Sequence, residues 1–311
     1  MADGSLELVL RDEVGFLQDC KMQRDLRGHS RAACYVLEKM GQQYFMKVYS
    51  GDRKEDLWRV EATYAQLNVN TAKIIKTEYL EQLDKTFCIY EYIDGKTLNE
   101  LLGACDITEA ENLGYLVGKE TSKFVQLEGD ADKFQSEFEA ELKPLWANAY
   151  RIKREYNMSH EQKLPVINLP RLEKSAQQLK EFIYATKPTF VHSDINLNNI
   201  IIHDGEPYFI DTDGGKIKFR ALDFRGNCWW GWSGSNVEKE RAIYRGIYRG
   251  MFNDAIPDSF HQELAFTMIY EFIMRLWRYR GIDEQTHYSF LRWHENLKRT
   301  NYFEKYKFPW F

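Results

Sequence analysis

The chain has 311 residues, 44% of them hydrophobic and 15% aromatic, which is enough to bury a core in two domains or one large two-lobed unit and too apolar for disorder. A formal net charge of −5 argues against nucleic acid as a partner, since that needs a basic face, and is compatible with a cationic small molecule. The five cysteines are scattered without a Cys-x-x-Cys pair, which fits a reducing compartment and excludes a zinc ribbon or disulfide scaffold.

Charges interrupt the opening "MADGSLELVLRDEVGF", so no secretory signal is expected there. Residues 34–49, "CYVLEKMGQQYFMKVY", predict two strands around a Met40-Gly41 turn. The second alternates Tyr44, Met46 and Val48 against Phe45, Lys47 and Tyr49. The stretch 55–68 places Leu57, Val60, Tyr64 and Leu67 at helical spacing. Another strand is predicted over 86–93, closed by Asp94-Gly95. Beyond that turn the pattern becomes helical, starting with a capping box of Thr108 and Glu111. A further helix carries Leu172, Ala176, Leu179 and Ile183 on one face, and three helical stretches are expected over 238–300. The apolar run 264–274 is short and contains Glu271, so no membrane span is expected and the cytoplasm is the expected location. The expected fold class is α+β, with a small sheet-rich lobe over 1–94 and a larger helical lobe over 95–311.

Within the helical part, "VHSDINLNNIIIHDGEPYFIDTD" (191–213) predicts a hairpin turning at His203-Asp204-Gly205-Glu206. Centred near Gly205, antiparallel pairing puts Asn199 opposite Asp211. An amide oxygen and a carboxylate at the end of a ribbon are the hard-oxygen donors that suit magnesium with phosphate oxygens. Asp194, in the loop entering the hairpin, can accept the proton of a hydroxyl beside a metal-held phosphate. Each of these residues alone reads as an ordinary strand or loop terminator, and their combined spacing carries the chemical reading.

Phosphoryl transfer also needs a strand lysine, an acid on the following helix and a loop over the phosphates. Lys47 and Glu61 fall in that order, although singly one reads as a solvent-facing strand residue and the other as a surface acid. Gly28 and Ser30, in "LRGHSRAACYVL", can form a turn whose amides and hydroxyl meet phosphate oxygens.

These segments together resemble the aminoglycoside phosphotransferase family, a branch of the protein-kinase-like fold that also includes choline kinases. "GHSRAACYVL" is similar to its Gly-x-Ser-x-Ala loop, "HSDINLNNIII…FIDTD" to its catalytic loop and metal motif, and "IYEYIDGKTL" to the connector between lobes. The likeness of order runs from about residue 25 to 250. It implies a two-lobed kinase-like fold and an ATP- and Mg2+-dependent transfer to the hydroxyl of a small molecule. Choline or ethanolamine is the alternative acceptor, and a protein substrate is a third reading. That third reading lacks the glycine triplet and an Ala-Pro-Glu segment.

By resemblance, Asp194 is the catalytic base, and Asn199 and Asp211 hold magnesium. Lys47 touches the α- and β-phosphates with Glu61 as its ion-pair partner. Gly28 and Ser30 cover the phosphates, and the backbone of Glu91 to Ile93 meets the adenine. Asp223 falls where the family has an acid bracing the catalytic loop. Ser193 replaces the usual glycine, and the "TDGG" after the metal aspartate leaves the role of Asp213 open. Two segments are candidates for the acceptor. The stretch 128–141 has six acids against one lysine, and reads either as a polycation site or as a solvated helix face. Trp229, Trp230 and Trp232 read either as core or as a box for a quaternary ammonium group.

Overall fold

A computed structural model describes residues 14–25, 33–159, 169–225 and 237–278 of the chain. They form two compact units, Met1–Lys96 with Ile201–Asp213, and Thr97–Ile200 with Gly214–Phe311.

The first unit is built on an antiparallel sheet of β1 (Lys21–Asp25), β2 (Ala33–Lys39), β3 (Gln42–Ser50), β4 (Ile74–Leu80) and β5 (Lys85–Glu91), in the order β1-β2-β3-β5-β4. Helix α1 (Lys54–Gln66) connects β3 to β4. The Met40-Gly41 turn joins β2 to β3 with both residues at positive φ, the geometry that matches strand twist in a two-residue hairpin. Successive β3 side chains point to opposite faces, and both faces are covered. Met46 and Val48 join Tyr35, Leu37, Phe87 and Ile89 in one cluster. Tyr49 joins Leu57 of α1, Ala72, Cys88 and Tyr90 in the other. Lys47 shares the parity of Tyr49 and is 7% exposed, so it is not the solvent-facing residue that a half-buried strand would give. Leu57, Tyr64 and Leu67 of the predicted helical stripe are buried.

Past the short strand β6 (Lys96–Thr97) come the first helices of the second unit, α2 (Leu98–Leu101), α3 (Ile107–Thr121), α4 (Ala131–Ser159) and α5 (Leu169–Tyr184). The capping box of α3 is Asp106 with Glu109, two residues ahead of the predicted Thr108 and Glu111. Asp106 caps as well as threonine and adds a negative charge at the helix N-terminus, while Glu111 pairs with Arg245 and Arg249. The stripe of Leu172, Ala176, Leu179 and Ile183 on α5 is buried.

Then follow β7 (Thr189–Val191) and the hairpin of β8 (Ile200–His203) and β9 (Glu206–Phe209), which turns at Asp204 and Gly205, again both at positive φ. Strand β10 (Lys216–Lys218) pairs antiparallel with β7, and helices α6 (Val237–Met251) and α7 (Asp258–Arg278) complete the described elements.

Helices α3 and α6 approach through two Gly-x-x-x-Gly pairs. A Cβ on Gly114 or Gly118 would lie 2.0 or 2.1 Å from the carbonyl oxygens of Ile243 and Ile247. One on Gly246 or Gly250 would lie 2.1 or 2.2 Å from those of Glu111 and Tyr115. The backbones therefore touch directly, a contact that no larger residue permits.

Candidate phosphotransfer site

In the first unit, β3 carries Lys47 inward and the segment after β9 brings carboxylates to it. Lys47 Nζ donates to Asp211 Oδ1 and, at 3.1 Å, to Asp213 Oδ1. Asp211 sits in the left-handed region (φ 61°) and Thr212–Gly214 form a 3-10 turn, so the carboxylates at 211 and 213 converge on one ammonium. Burial works against the charge on Lys47, but the polar groups of Tyr49, Asp211 and Asp213 outweigh it and raise its pKa. Burial, helped by the neighbouring Asp211, raises the pKa of Asp213 in spite of Lys47.

The predicted Lys47–Glu61 ion pair is not among those of the described residues. Glu61 accepts from the backbone N–H of Ile74, and its Oε2 is buried without a hydrogen-bond partner. Strand β4, which sequence reading missed, provides that N–H and occupies one oxygen of the acid. Glu91 extends the β3–β5 pairing opposite Tyr44, and Ile93 packs on the cluster around Tyr49. Glu91, Tyr92, Ile93 and Asp94 line a cavity of about 590 Å³ together with Glu38 and the start of β3, a volume in the range of small-molecule sites. Gly28, Ser30 and the three tryptophans lie outside the described residues.

In the second unit, the loop after β7 carries Asp194. Asn199 Nδ2 donates to the Asp194 backbone oxygen at 3.0 Å and to its Oδ2 at 3.2 Å. Asn196 turns the chain between them, its side-chain oxygen accepting from Asn198 N at 2.9 Å. Asp223, 1% exposed, accepts from Ser193 N at 2.6 Å and from the backbone of His192. The Asp223 carbonyl accepts from Ile195 N at 2.9 Å. Burial pushes the Asp223 carboxyl up to about 8 against these donors. Ser193 takes the left-handed conformation (φ 68°) that glycine adopts freely, and its hydroxyl donates to Gly214 O at 2.9 Å.

The acids of 128–141 largely meet lysines of the same unit. Glu128 pairs with Lys187, Glu139 with Lys180, and Glu141 with Lys218. Tyr270 also donates to Glu141. No group of three His, Cys, Asp or Glu side chains poised for a metal occurs among the described residues, and none of their helices is long and apolar enough to cross a membrane.

A model of the phosphotransferase enzyme family matches residues 21–257. The chain belongs to that family.

Solved structures agree on the kinase-like α+β fold. Aminoglycoside phosphotransferase APH(4)-Ia matches with a TM-score of 0.64 at 12% identity, over 94% of this chain and 97% of that one. Spectinomycin phosphotransferase APH(9)-Ia, crystallised with ADP and spectinomycin, matches with a TM-score of 0.58 at 14% identity over 94% and 93%. An ethanolamine kinase of Plasmodium vivax matches with a TM-score of 0.54 at 15% identity over 92% and 86%. No curated protein matches the chain in sequence.

Proposed function

We propose that the chain is an ATP- and magnesium-dependent phosphotransferase acting on a hydroxyl of a small molecule, in the manner of the aminoglycoside phosphotransferases. The observation that carries this reading is the buried Lys47 held by Asp211, a strand lysine joined to the aspartate of the Ile-Asp motif. Lys47 contacts the α- and β-phosphates, Gly28 and Ser30 cover them, and the backbone of Glu91 to Ile93 meets the adenine.

Asp211 and Asn199 are the magnesium donors. The fit is chemical: one carboxylate and one amide oxygen are hard donors, and their small number suits an ion that keeps waters and phosphate oxygens. The Asn199 amide nitrogen is engaged by Asp194, which leaves its oxygen for a cation. When bound, the ion neutralises phosphate charge.

Asp194 orients the acceptor hydroxyl and takes its proton. The acceptor oxygen forms a bond to the γ-phosphorus, the bond to the bridging oxygen breaks, and ADP departs with that electron pair. No covalent enzyme intermediate is required. We place the activity in the cytoplasm, in keeping with the scattered free cysteines.

A second reading is a choline- or ethanolamine-type kinase, favoured by the ethanolamine kinase among the similar structures. The acids of 128–141 add little for a polycation, since four of the six are ion-paired to lysines. An ATP-consumption screen over aminoglycosides, macrolides, choline, ethanolamine, homoserine and sugars separates the readings. Turnover with one class and its loss on magnesium removal is the expected result. Phosphorylation of proteins but of no small alcohol would overturn it.

A further inference from the structure

Resting on the phosphotransferase reading, we infer that Asp213 is the positioning residue for Lys47, in the part expected of Glu61, and that Arg53 and Tyr49 hold this pair in place. Four side chains of the first unit form the device. Asp213 accepts from Lys47 at 3.1 Å through one oxygen, and its other oxygen lies 3.8 Å from Arg53 Nη1. Lys47 and Arg53 both lie against the ring of Tyr49, at 5.1 and 5.3 Å from its centroid. The Tyr49 hydroxyl is fixed by that of Tyr90 at 3.0 Å. Two cations thus share one aromatic ring and one carboxylate.

The backbone under Arg53 is anchored too. Its N–H donates to the Thr86 hydroxyl at 2.9 Å, and that hydroxyl donates to Gly51 O at 2.7 Å.

Charge balance separates the two aspartates. Asp211 is the more exposed, at 39% against 18% for Asp213, and it is the residue assigned to the divalent ion. A carboxylate committed to a divalent cation is a poor partner for an ammonium beside it, because the two cations repel. Asp213 then remains as the anion that aims Lys47. Arg53 balances Asp213 when Lys47 turns toward a phosphate. Glu61 does not compete, since the ion pairs of Lys47 among the described residues are with Asp211 and Asp213.

The test measures ADP binding in saturating magnesium, by titration calorimetry on the full chain, together with the KM for ATP and for the acceptor found in the screen. D213N is expected to weaken ADP about tenfold and D213E to restore most of the loss, the scale of one charge-assisted hydrogen bond. R53M should weaken ADP about threefold, and E61Q should stay within about twofold. The double variant K47A/D213N should bind no more weakly than K47A alone, which is the signature of one residue acting through another. The KM for ATP should rise in D213N with the acceptor KM unchanged.

Full additivity of D213N with K47A, or a loss in E61Q with none in D213N, would overturn the assignment. Should D213N not fold, R53M decides, because Arg53 is about a third exposed and unchanged affinity there sinks the device. A wild-type chain that binds no adenine nucleotide overturns the phosphotransferase reading itself, and the control distinguishes that failure from this one.

Discussion

The two units hold their candidate site carboxylates by opposite means. In the first, Asp211 and Asp213 are held by charge, through a buried ammonium and a guanidinium over one tyrosine ring. In the second, Asp194 is held by neutral donors and acceptors, with Asn199 on its oxygens and the loop backbone tied to a fully buried Asp223. A charge-held group responds to ions, pH and bound phosphate. A group held by backbone hydrogen bonds keeps its geometry when the charges around it change. On the proposed function, the charge-held group would serve the nucleotide and the backbone-held group the acceptor hydroxyl.

The largest effect is expected at Asp194. Asp194→Asn keeps an oxygen for Asn199 but loses the proton acceptor, so kcat should fall about 10³-fold with ATP binding and melting temperature nearly unchanged. Wild-type kcat in that variant would end the comparison. Next is Asp223→Ala, which strips two buried N–H groups of their acceptor and should cost about 3 kcal/mol in denaturant unfolding.

The same residue makes a pH prediction. Its folded pKa, pushed up to about 8, lies above the ordinary value near 4, so the folded state keeps the proton longer than the unfolded state. Stability from Asp223 is then fully present below about pH 4 and is lost as pH rises towards about 8, at up to about 1.4 kcal/mol per pH unit. Asp223→Asn should flatten that slope, as thermal melts between pH 5 and 9 would show.

Lys47→Ala should weaken productive nucleotide binding about tenfold to a hundredfold, an effect read as KM and Kd for ATP. Smallest of all is Lys187→Ala, whose pair with Glu128 is exposed on both sides and should change the melting temperature by less than about 1 °C.

The order of motifs was legible because each has a local signature. Alternation along β3 assigned Lys47 and Tyr49 to one face, and Asp204-Gly205 marked the hairpin. Strands β1 and β4 were missed because polar residues interleave "KMQRD" and "IIKTEYL", so neither presents a clean apolar face to a reader. That second omission hid the fate of Glu61, whose partner Ile74 lies on β4. The lysines that engage Glu139 and Glu141 lie far along the chain, at 180 and 218, where no spacing rule reaches. The Gly-x-x-x-Gly spacings of α3 and α6 were visible as spacings. That each was the other's partner depended on the fold.

The Ser193 hydroxyl stands 2.8 Å from where a Cβ on Gly214 would lie, so a side chain there would make the hydroxyl turn away and give up its bond to the Gly214 carbonyl. A relative with glycine at the equivalent of 193 loses both the strain and the hydroxyl, and a Cβ at its equivalent of 214 would then meet only the carbonyl equivalent to that of His192, at 3.3 Å. The two sites are thus coupled, and family members with glycine at the equivalent of 193 should carry a side chain at the equivalent of 214 more often than those with serine.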